Sequence, residues 1–408
     1  MFSIFKSFST ELKFYLLMNA LFAFGTSLSG VFQSVFLWKL DKTYSLLAYY
    51  SMYWSVAIII SFGLCAWLAR KTSPMITMRL GFVFYLITYL IMLFFHDTLD
   101  EHIMLLGISN GLAMSLYYVG MHMAVLDLTT NDKRDQFLYI QGILFTIGGV
   151  IAPLLSGLMI SRFAGMIGYY VVFMATCVFL FIAFIVSLRV KGNPVTTKSH
   201  FWEVIKNPSP EWKKMYSIMF ADGIVSGAFT TFLITMMTFK VAGGELNLGL
   251  YNTGAQIMSI VAFYMLAKYS KAKDRITVFA IGSVTILLSS ILISAYPIFI
   301  SLVIFGILSP IAMNMIGTSM NAMIYESIER DPDYQEKRLD YIIIREIPLG
   351  VGRIIGVVLF LSMRKYFDLE ALLPISFSIF PIVYVLMIPT LYFIWNKPNG
   401  KMKAGTTN

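Results

Sequence analysis

Long apolar runs separated by short polar turns form the dominant pattern of this 408-residue chain. A helix that crosses the hydrocarbon core of a bilayer needs about 20 mainly apolar residues. By that criterion the pattern predicts an all-α integral membrane protein with twelve transmembrane helices. The predicted spans are 13–38, 46–69, 75–96, 102–127, 137–162, 167–190, 215–239, 246–268, 276–295, 298–326, 341–363 and 371–396.

One long polar stretch interrupts the apolar pattern near the middle of the chain and separates six predicted spans from six. We therefore predict two six-helix halves joined by a cytoplasmic loop. The predicted parts are an N-terminal half at 1–190, a central loop at 191–214, a C-terminal half at 215–396 and a cytoplasmic tail at 397–408.

The two predicted halves share short sequence patterns in the same order. Gly30 in Leu-Ser-Gly-Val-Phe corresponds to Gly227 in Val-Ser-Gly-Ala-Phe, and further along His122 corresponds to Asn321. Each match is short, so the evidence is their colinear order. Two repeated membrane halves are the sequence signature of a transporter whose site lies between the halves.

Composition restricts the class of protein further. Hydrophobic residues make up 58% of the chain and charged residues 13%, about half the roughly 25% charge of a soluble domain. With so little charge, the surface must face lipid. The net charge of +9 comes from short basic loops rather than one patch, so we expect no nucleic-acid partner. Cys65 and Cys177 lie within apolar runs, which predicts neither a disulfide framework nor a cysteine metal site.

Lysine and arginine are concentrated in loops on one side of the predicted spans. If the N-terminus is cytoplasmic, most of the 31 Lys and Arg residues fall in cytoplasmic segments, as the positive-inside rule requires. The sequence therefore predicts a multi-pass protein of the plasma or inner membrane with both termini cytoplasmic. The leader at 1–13 is short and the first span is too long for a signal-peptide core, so we expect this span to be retained.

Two segments carry candidate motifs. After the second span the chain reads Arg70-Lys71-Thr-Ser-Pro-Met, with Gly81 further along. The fifth span repeats small residues around a proline. Small residues at this spacing let two helix backbones approach closely, and the proline removes one backbone donor and permits a bend. The positions of this second motif are Gly148, Ala152, Pro153, Ser156 and Gly157.

Both segments resemble motifs of the major facilitator superfamily. In that family the loop reads Asp-Arg-x-Gly-Arg-Arg with a glycine at the place of Gly81, and the fifth span reads Gly-x-x-x-Gly-Pro-x-x-Gly-Gly, which is associated with antiporters. The resemblance implies the MFS fold and transport by alternating access. The chain departs from it at Arg70, where the family has an acid. Because the positive N-terminal end of the eleventh span would repel this arginine, we expect Asp340 or Glu346 to intervene.

Three ionisable residues lie deep in predicted spans, where charge is costly and marks candidate functional sites. They are Arg353, Asp222 and His122. Glu346 shares a helix face with Arg353, but two turns separate them by about 10 Å, so Arg353 needs another partner, and a buried Arg353–Asp222 pair is one interpretation. Two other interpretations stay open: Arg353 could hold an anionic substrate group, and Asp222 could carry a coupling proton.

Polar residues also form stripes at helical spacing on the first, fourth, seventh and tenth spans, the four that surround the central cavity in the resembled family. Hydrogen bonding between helices is the alternative explanation for such stripes. We predict that substrate is bound by Gln33, Tyr118, His122, Asp222, Thr230, Asn314, Asn321 and Arg353. Arg70, Lys71, Gly81 and the fifth-span motif are predicted to serve gating and packing.

The sequence thus favours a secondary active transporter that moves a small solute across the cell membrane. Few charges and many aromatic residues favour proton-coupled efflux of an amphipathic compound, whereas Arg353 favours uptake of an organic anion. A non-transporting membrane sensor or scaffold is a further alternative. No nucleotide-binding motif or catalytic constellation is readable, so we expect no enzyme, no cofactor and no metal. The expected partners are a small molecule, a coupling proton and the bilayer, around a monomer.

Overall fold

The structure is a computed structural model that describes residues 8–128, 131–192 and 198–395. Its described part consists of helices and short connections, without strands. The helices of the N-terminal half are α1 (Thr10–Asp41), α2 (Ser45–Lys71), α3 (Pro74–Phe94), α4 (Ile103–Leu128), α5 (Asn131–Ser161) and α6 (Ile167–Ser187). After the short α7 (Phe201–Lys206), the C-terminal half contains α8 (Pro210–Val225), a π-helical stretch (Ser226–Leu233), α9 (Ile234–Ala242), α10 (Glu245–Tyr269), α11 (Arg275–Ala295), α12 (Phe299–Glu329), α13 (Tyr334–Ile344), α14 (Glu346–Met363), α15 (Leu369–Ile379) and α16 (Ile382–Trp395).

Helix lies over each of the twelve predicted spans, and three of these spans are interrupted. The seventh contains α8, the π stretch and α9, the eleventh begins in α13 and continues as α14, and the twelfth is divided into α15 and α16. In the described part of the chain, ten helical segments are long and apolar enough to cross a membrane. The all-α membrane fold is therefore confirmed, and the count of twelve crossings stays a prediction.

Local sequence signals explain where several helices begin. Ser9, Ser73 and Ser209 each accept a hydrogen bond from the backbone N–H three residues later. Such side-chain caps satisfy donors that the first helical turn leaves free. Pro74 and Pro210 follow two of these serines and occupy the first turn, where the missing N–H of proline has no cost.

Within the N-terminal half, α1 packs on α5 and α6, and α4 packs on α2 and α3. The Phe22 ring is stacked on Tyr117 with 3.7 Å between centroids, and the Tyr117 hydroxyl donates to the Asn19 amide oxygen at 2.5 Å. Gly81 allows the close contact of α3 with α4, because a Cβ there would lie 2.8 Å from the Tyr117 backbone nitrogen. The predicted motif glycine thus serves packing inside this half.

Contacts between the halves run along two helix pairs, α5 with α10 and α2 with α14. Beside the second pair, the Ser51 hydroxyl of α2 donates to the Gly227 carbonyl of the π-helical stretch at 2.7 Å. We call the end of the bundle that carries α7 the central-loop end, and the other end the opposite end.

Candidate functional site

Two of the cavities in the described part of the bundle have predicted site residues on their walls, one mainly in each half. The N-terminal cavity has a volume of about 240 Å³, and its wall includes the predicted residues Gln33 and Tyr118. The C-terminal cavity has a volume of about 380 Å³, and its wall includes the predicted residues Asp222, Thr230 and Asn321. The structure therefore brings five predicted site residues to cavity walls. His122, Asn314 and Arg353 lie outside the walls of these two cavities.

The π-helical stretch determines how the seventh span contributes to both cavities. Thr230 lines the C-terminal cavity and Thr231 lines the N-terminal one. The Thr231 hydroxyl donates to the Ser226 carbonyl at 2.6 Å, a bond that spans five residues. The wider π turn changes the direction of neighbouring side chains, and such turns are frequent at functional sites. Sequence periodicity at 3.6 residues could not predict it.

Asp222 is held by a neighbour that the sequence did not indicate. The Tyr384 hydroxyl on α16 donates to Asp222 Oδ1 at 3.0 Å, and both residues line the C-terminal cavity. Arg345 lies on the same wall. This cavity therefore presents a carboxyl group and a guanidinium among apolar and uncharged polar side chains, a set that can bind polar or charged parts of a solute.

The expected Arg353–Asp222 ion pair is wrong. Arg353 Nη1 lies 3.3 Å from Glu346 Oε2, and Arg345 Nε lies 3.3 Å from Glu346 Oε1. The axial distance of two helical turns is bridged because a long helical side chain points back towards the helix N-terminus. One buried carboxylate thus compensates two arginines.

Arg70 at the end of α2 meets the acid that was expected to intervene. Its Nη2 lies 2.8 Å from Oδ1 of Asp340, a fully buried residue on α13. The central loop completes the site, because the His200 backbone N–H donates to Asp340 Oδ2 at 2.9 Å. Lys71 takes another direction, with its ammonium 4.5 Å from the centroid of the Trp67 ring. An ion pair therefore joins the halves at the central-loop end.

A second ion pair joins the halves at the opposite end, and sequence reasoning missed it. Lys39 at the end of α1 pairs with Glu245 at the start of α10, and the Tyr169 hydroxyl donates to the same carboxylate at 2.8 Å. Burial raises the pKa of Glu245, but the bonds from Lys39 and Tyr169 outweigh burial and leave this pKa below its usual value. Glu245 is thus held as a carboxylate, with a charged partner from the other half.

The fifth-span motif packs α5 against α10. A Cβ on Gly157 would lie 2.8 Å from the Glu245 carbonyl oxygen and 3.3 Å from the Gly249 Cα. The Gly148 position is less crowded, because its Cβ would meet the Phe24 backbone of α1 at 3.4 Å. The motif also places two buried small residues in this region, Ala152 and Ser156. Pro153 lies within α5, and its carbonyl oxygen would lie 2.6 Å from a Cβ on Gly249.

A second glycine contact joins α8 and the π stretch to α14. A Cβ on Gly223 or Gly227 would lie 2.2 Å from a backbone oxygen of α14, and Gly352 and Gly356 are equally close to α8. The Gly-x-x-x-Gly spacing at 223–227 and 352–356 was a readable signal for this contact. Among the described residues, no group of His, Cys, Asp and Glu side chains could hold a metal ion.

Comparison with known proteins agrees with this architecture. The sequence model of the Major Facilitator Superfamily matches residues 100–335. The protein YqgE of Bacillus subtilis (strain 168) is 26% identical over 396 residues, which cover 97% of this chain and 91% of YqgE. The crystal structure of the nucleoside transporter NupG has a TM-score of 0.70 and 15% identity, with 95% of this chain and all of NupG covered. A bacterial homologue of the iron transporter ferroportin, in an inward-facing state, has a TM-score of 0.64 and 12% identity over 92% of this chain and 98% of its own.

Proposed function

Because this chain belongs to the Major Facilitator Superfamily, a family of membrane transporters, we propose that it is a secondary active transporter working by alternating access. The observation that carries this proposal is that two ion pairs join the halves, one at each end of the bundle. Arg70–Asp340 joins them at the central-loop end and Lys39–Glu245 at the opposite end. Breaking one pair while the other holds would open the cavities to one side at a time.

In this proposal the two halves, 1–190 and 215–396, move as units about the α5–α10 and α2–α14 contacts. Close backbone packing at Gly157 and Gly249 supports rotation about a fixed contact, since small residues allow helices to slide and tilt without separating. The protein works as a monomer in the cell membrane with both termini cytoplasmic, which makes the central-loop end the cytoplasmic end.

Asp222 is our candidate for the residue that couples transport to a proton gradient. It lines the C-terminal cavity, and Tyr384 is its hydrogen-bond partner, whereas Glu346 is already engaged by two arginines. A cavity carboxylate outside an ion pair can gain and lose a proton during the cycle. We propose proton-coupled efflux of an amphipathic solute, in which Asp222 releases its proton as the solute binds or leaves.

Uptake of an organic anion is the second candidate. It now depends on Arg345, which lines the C-terminal cavity, rather than on Arg353, which is buried outside the wall of this cavity. The two candidates differ in the effect of Asp222→Asn. In efflux coupled through Asp222, this variant should exchange solute across proteoliposomes but fail to accumulate it against a gradient. In anion uptake through Arg345, the loss of exchange should follow Arg345→Gln instead.

Alternating access itself is testable before any substrate is known. Spin labels at Lys42 and Glu370 report the opposite end, and labels at Lys71 and Glu329 report the central-loop end; all four residues are exposed. In a background without Cys65 and Cys177, pulsed electron resonance should give two distances for each pair. Lys39→Gln removes the Lys39–Glu245 ion pair. It should increase the population of the longer distance at the opposite end and the population of the shorter distance at the central-loop end. One unchanging distance at both ends would favour the sensor or scaffold.

A further inference from the structure

The N-terminal cavity has a chemical character different from that of its neighbour. Its wall carries six aromatic side chains and no Asp, Glu, Lys, Arg or His. The C-terminal cavity, by contrast, has Asp222 and Arg345 on its wall. An aromatic wall without formal charge attracts planar and apolar groups by stacking and burial. It offers no counter-ion to a charged group, which would lose its hydration on entry.

Two polar side chains of this cavity are paired with each other. The Asn110 side-chain amide donates to the Tyr50 hydroxyl, and both residues lie on the cavity wall.

Gln33 Nε2 is buried and has no hydrogen-bond partner among the described residues. Gln33 itself is only 7% exposed and lies on the wall of the N-terminal cavity. Buried donors are normally paired, and an unpaired one needs an explanation. A ligand that carries an acceptor would provide the missing partner.

From these contacts we infer that the N-terminal cavity is a subsite for an uncharged planar ring that bears a carbonyl or similar acceptor. The ring would stack on aromatic walls such as Tyr85 and Tyr118, and Gln33 would donate to its acceptor. The volume of about 240 Å³ limits the occupant to a small ring system. This inference rests on the proposed transport function, because it describes the part of the solute that the N-terminal half holds.

Three forms of one ring test the predicted charge preference: nicotinamide (neutral), nicotinate (anionic) and 1-methylnicotinamide (cationic). A ligand that binds only the folded state raises its melting temperature. We expect nicotinamide to stabilise the purified protein and the two charged forms to have smaller effects. Equal or greater stabilisation by a charged form, or none by nicotinamide, would overturn the inference.

Two glutamine variants identify the donor. Gln33→Leu should weaken nicotinamide binding about tenfold, the loss expected for one hydrogen bond to a neutral group. Gln141→Leu is the matched control, because Gln141 is also buried and its amide contacts the Met121 sulfur on α4 at 3.8 Å, outside the cavity. Nicotinamide binding should survive in the control. Unchanged binding in a folded Gln33→Leu would remove Gln33 from the subsite.

The distance measurements described above separate this inference from the proposed function. If both label pairs give two distances but nicotinamide fails, the ring subsite is wrong and transport by alternating access stands. If the label pairs give a single distance and nicotinamide still binds through Gln33, the subsite stands in a protein that does not transport.

Discussion

The guanidinium of Arg353 on α14 lies over the indole ring of Trp54 on α2, with 5.3 Å between Cζ and the ring centroid. Trp54 belongs to the N-terminal half and Arg353 to the C-terminal half, so this cation–π contact crosses between them. Glu346 holds the same guanidinium from its own helix. Arg353 is therefore a link between the halves whose charge is already compensated, rather than a free ligand for an anion.

The first prediction concerns Glu346, which serves two arginines. Glu346→Gln would leave Arg345 and Arg353 without their shared carboxylate, and an uncompensated buried charge costs about 3–5 kcal/mol. We expect a large fall in thermal stability, partly recovered when Arg353→Met is added. Asp222→Asn is the control, because asparagine can still accept from Tyr384 and should be tolerated. A larger loss in Asp222→Asn than in Glu346→Gln would restore the original Arg353–Asp222 pairing.

The second prediction distinguishes the glycines of α5. Gly157→Leu should prevent stable folding, because the added Cβ would lie 2.8 Å from a backbone oxygen of α10 and the remaining side-chain atoms would separate the helices. Gly148→Leu should be less severe, since the nearest backbone atoms lie at 3.4 Å. Gly142, on the same helix, has open space around its Cβ position, so Gly142→Leu should express normally. Detergent-solubilised yield and melting temperature measure the order, and the reverse order would contradict this packing.

The third prediction concerns topology. If the central-loop end is cytoplasmic, a cysteine at the exposed Lys206 should resist an impermeant thiol reagent in intact cells and react after permeabilisation. A cysteine at the exposed Thr98, in the turn between α3 and α4, should react in intact cells. Both residues are accessible, so lack of reaction reports the membrane rather than burial. Labelling of Lys206→Cys from outside would reverse the positive-inside orientation.

The parts of this fold that depend on local sequence could be predicted. Positions of the apolar helices followed from run length, and charge alone indicated that Asp340 or Glu346 would face Arg70. The interpretation of an Arg353–Asp222 pair was wrong because it considered only the rise along the helix axis between Glu346 and Arg353. A long helical side chain points back towards the helix N-terminus and can bridge that rise. The π stretch was not predictable from a periodicity of 3.6 residues, and neither was the hydrogen bond that its Gly227 carbonyl accepts from Ser51 of another helix.

Contacts between the ends of distant spans also could not be predicted from the sequence. Lys39 and Glu245 each look like ordinary boundary charges, and only the packing of α5 on α10 brings Glu245 towards the end of α1. The Tyr384–Asp222 bond has the same origin, since a tyrosine in the last span gives no signal of its partner. By contrast, the glycine pairs at 223–227 and 352–356 had a recognisable spacing, and the prediction missed them by considering only the fifth span.

The last prediction concerns the pH range over which the central loop stays docked on α13. Lys337 Nζ lies 2.8 Å from Glu203 Oε1 on α7, and His200 Nδ1 lies 2.9 Å from Glu203 Oε2. Bonds from Lys337 and His200 lower the pKa of Glu203, and the bond to Glu203 raises the pKa of Lys337.

The lowered pKa of Glu203 stabilises docking at pH values above the pKa of this group in the unfolded chain. The stabilisation is lost as pH falls through the pKa of the folded state. The raised pKa of Lys337 stabilises docking at pH values below the pKa of this group in the unfolded chain. This stabilisation is lost as pH rises through the pKa of Lys337 in the folded state. The protection factors of the Phe201–Lys206 amides, in which exchange rates are corrected for the intrinsic pH dependence of exchange, should therefore be largest near neutral pH and smaller in acid. Glu203→Gln should remove the acid dependence, whereas an acid limb that persists in this variant would assign it to another group.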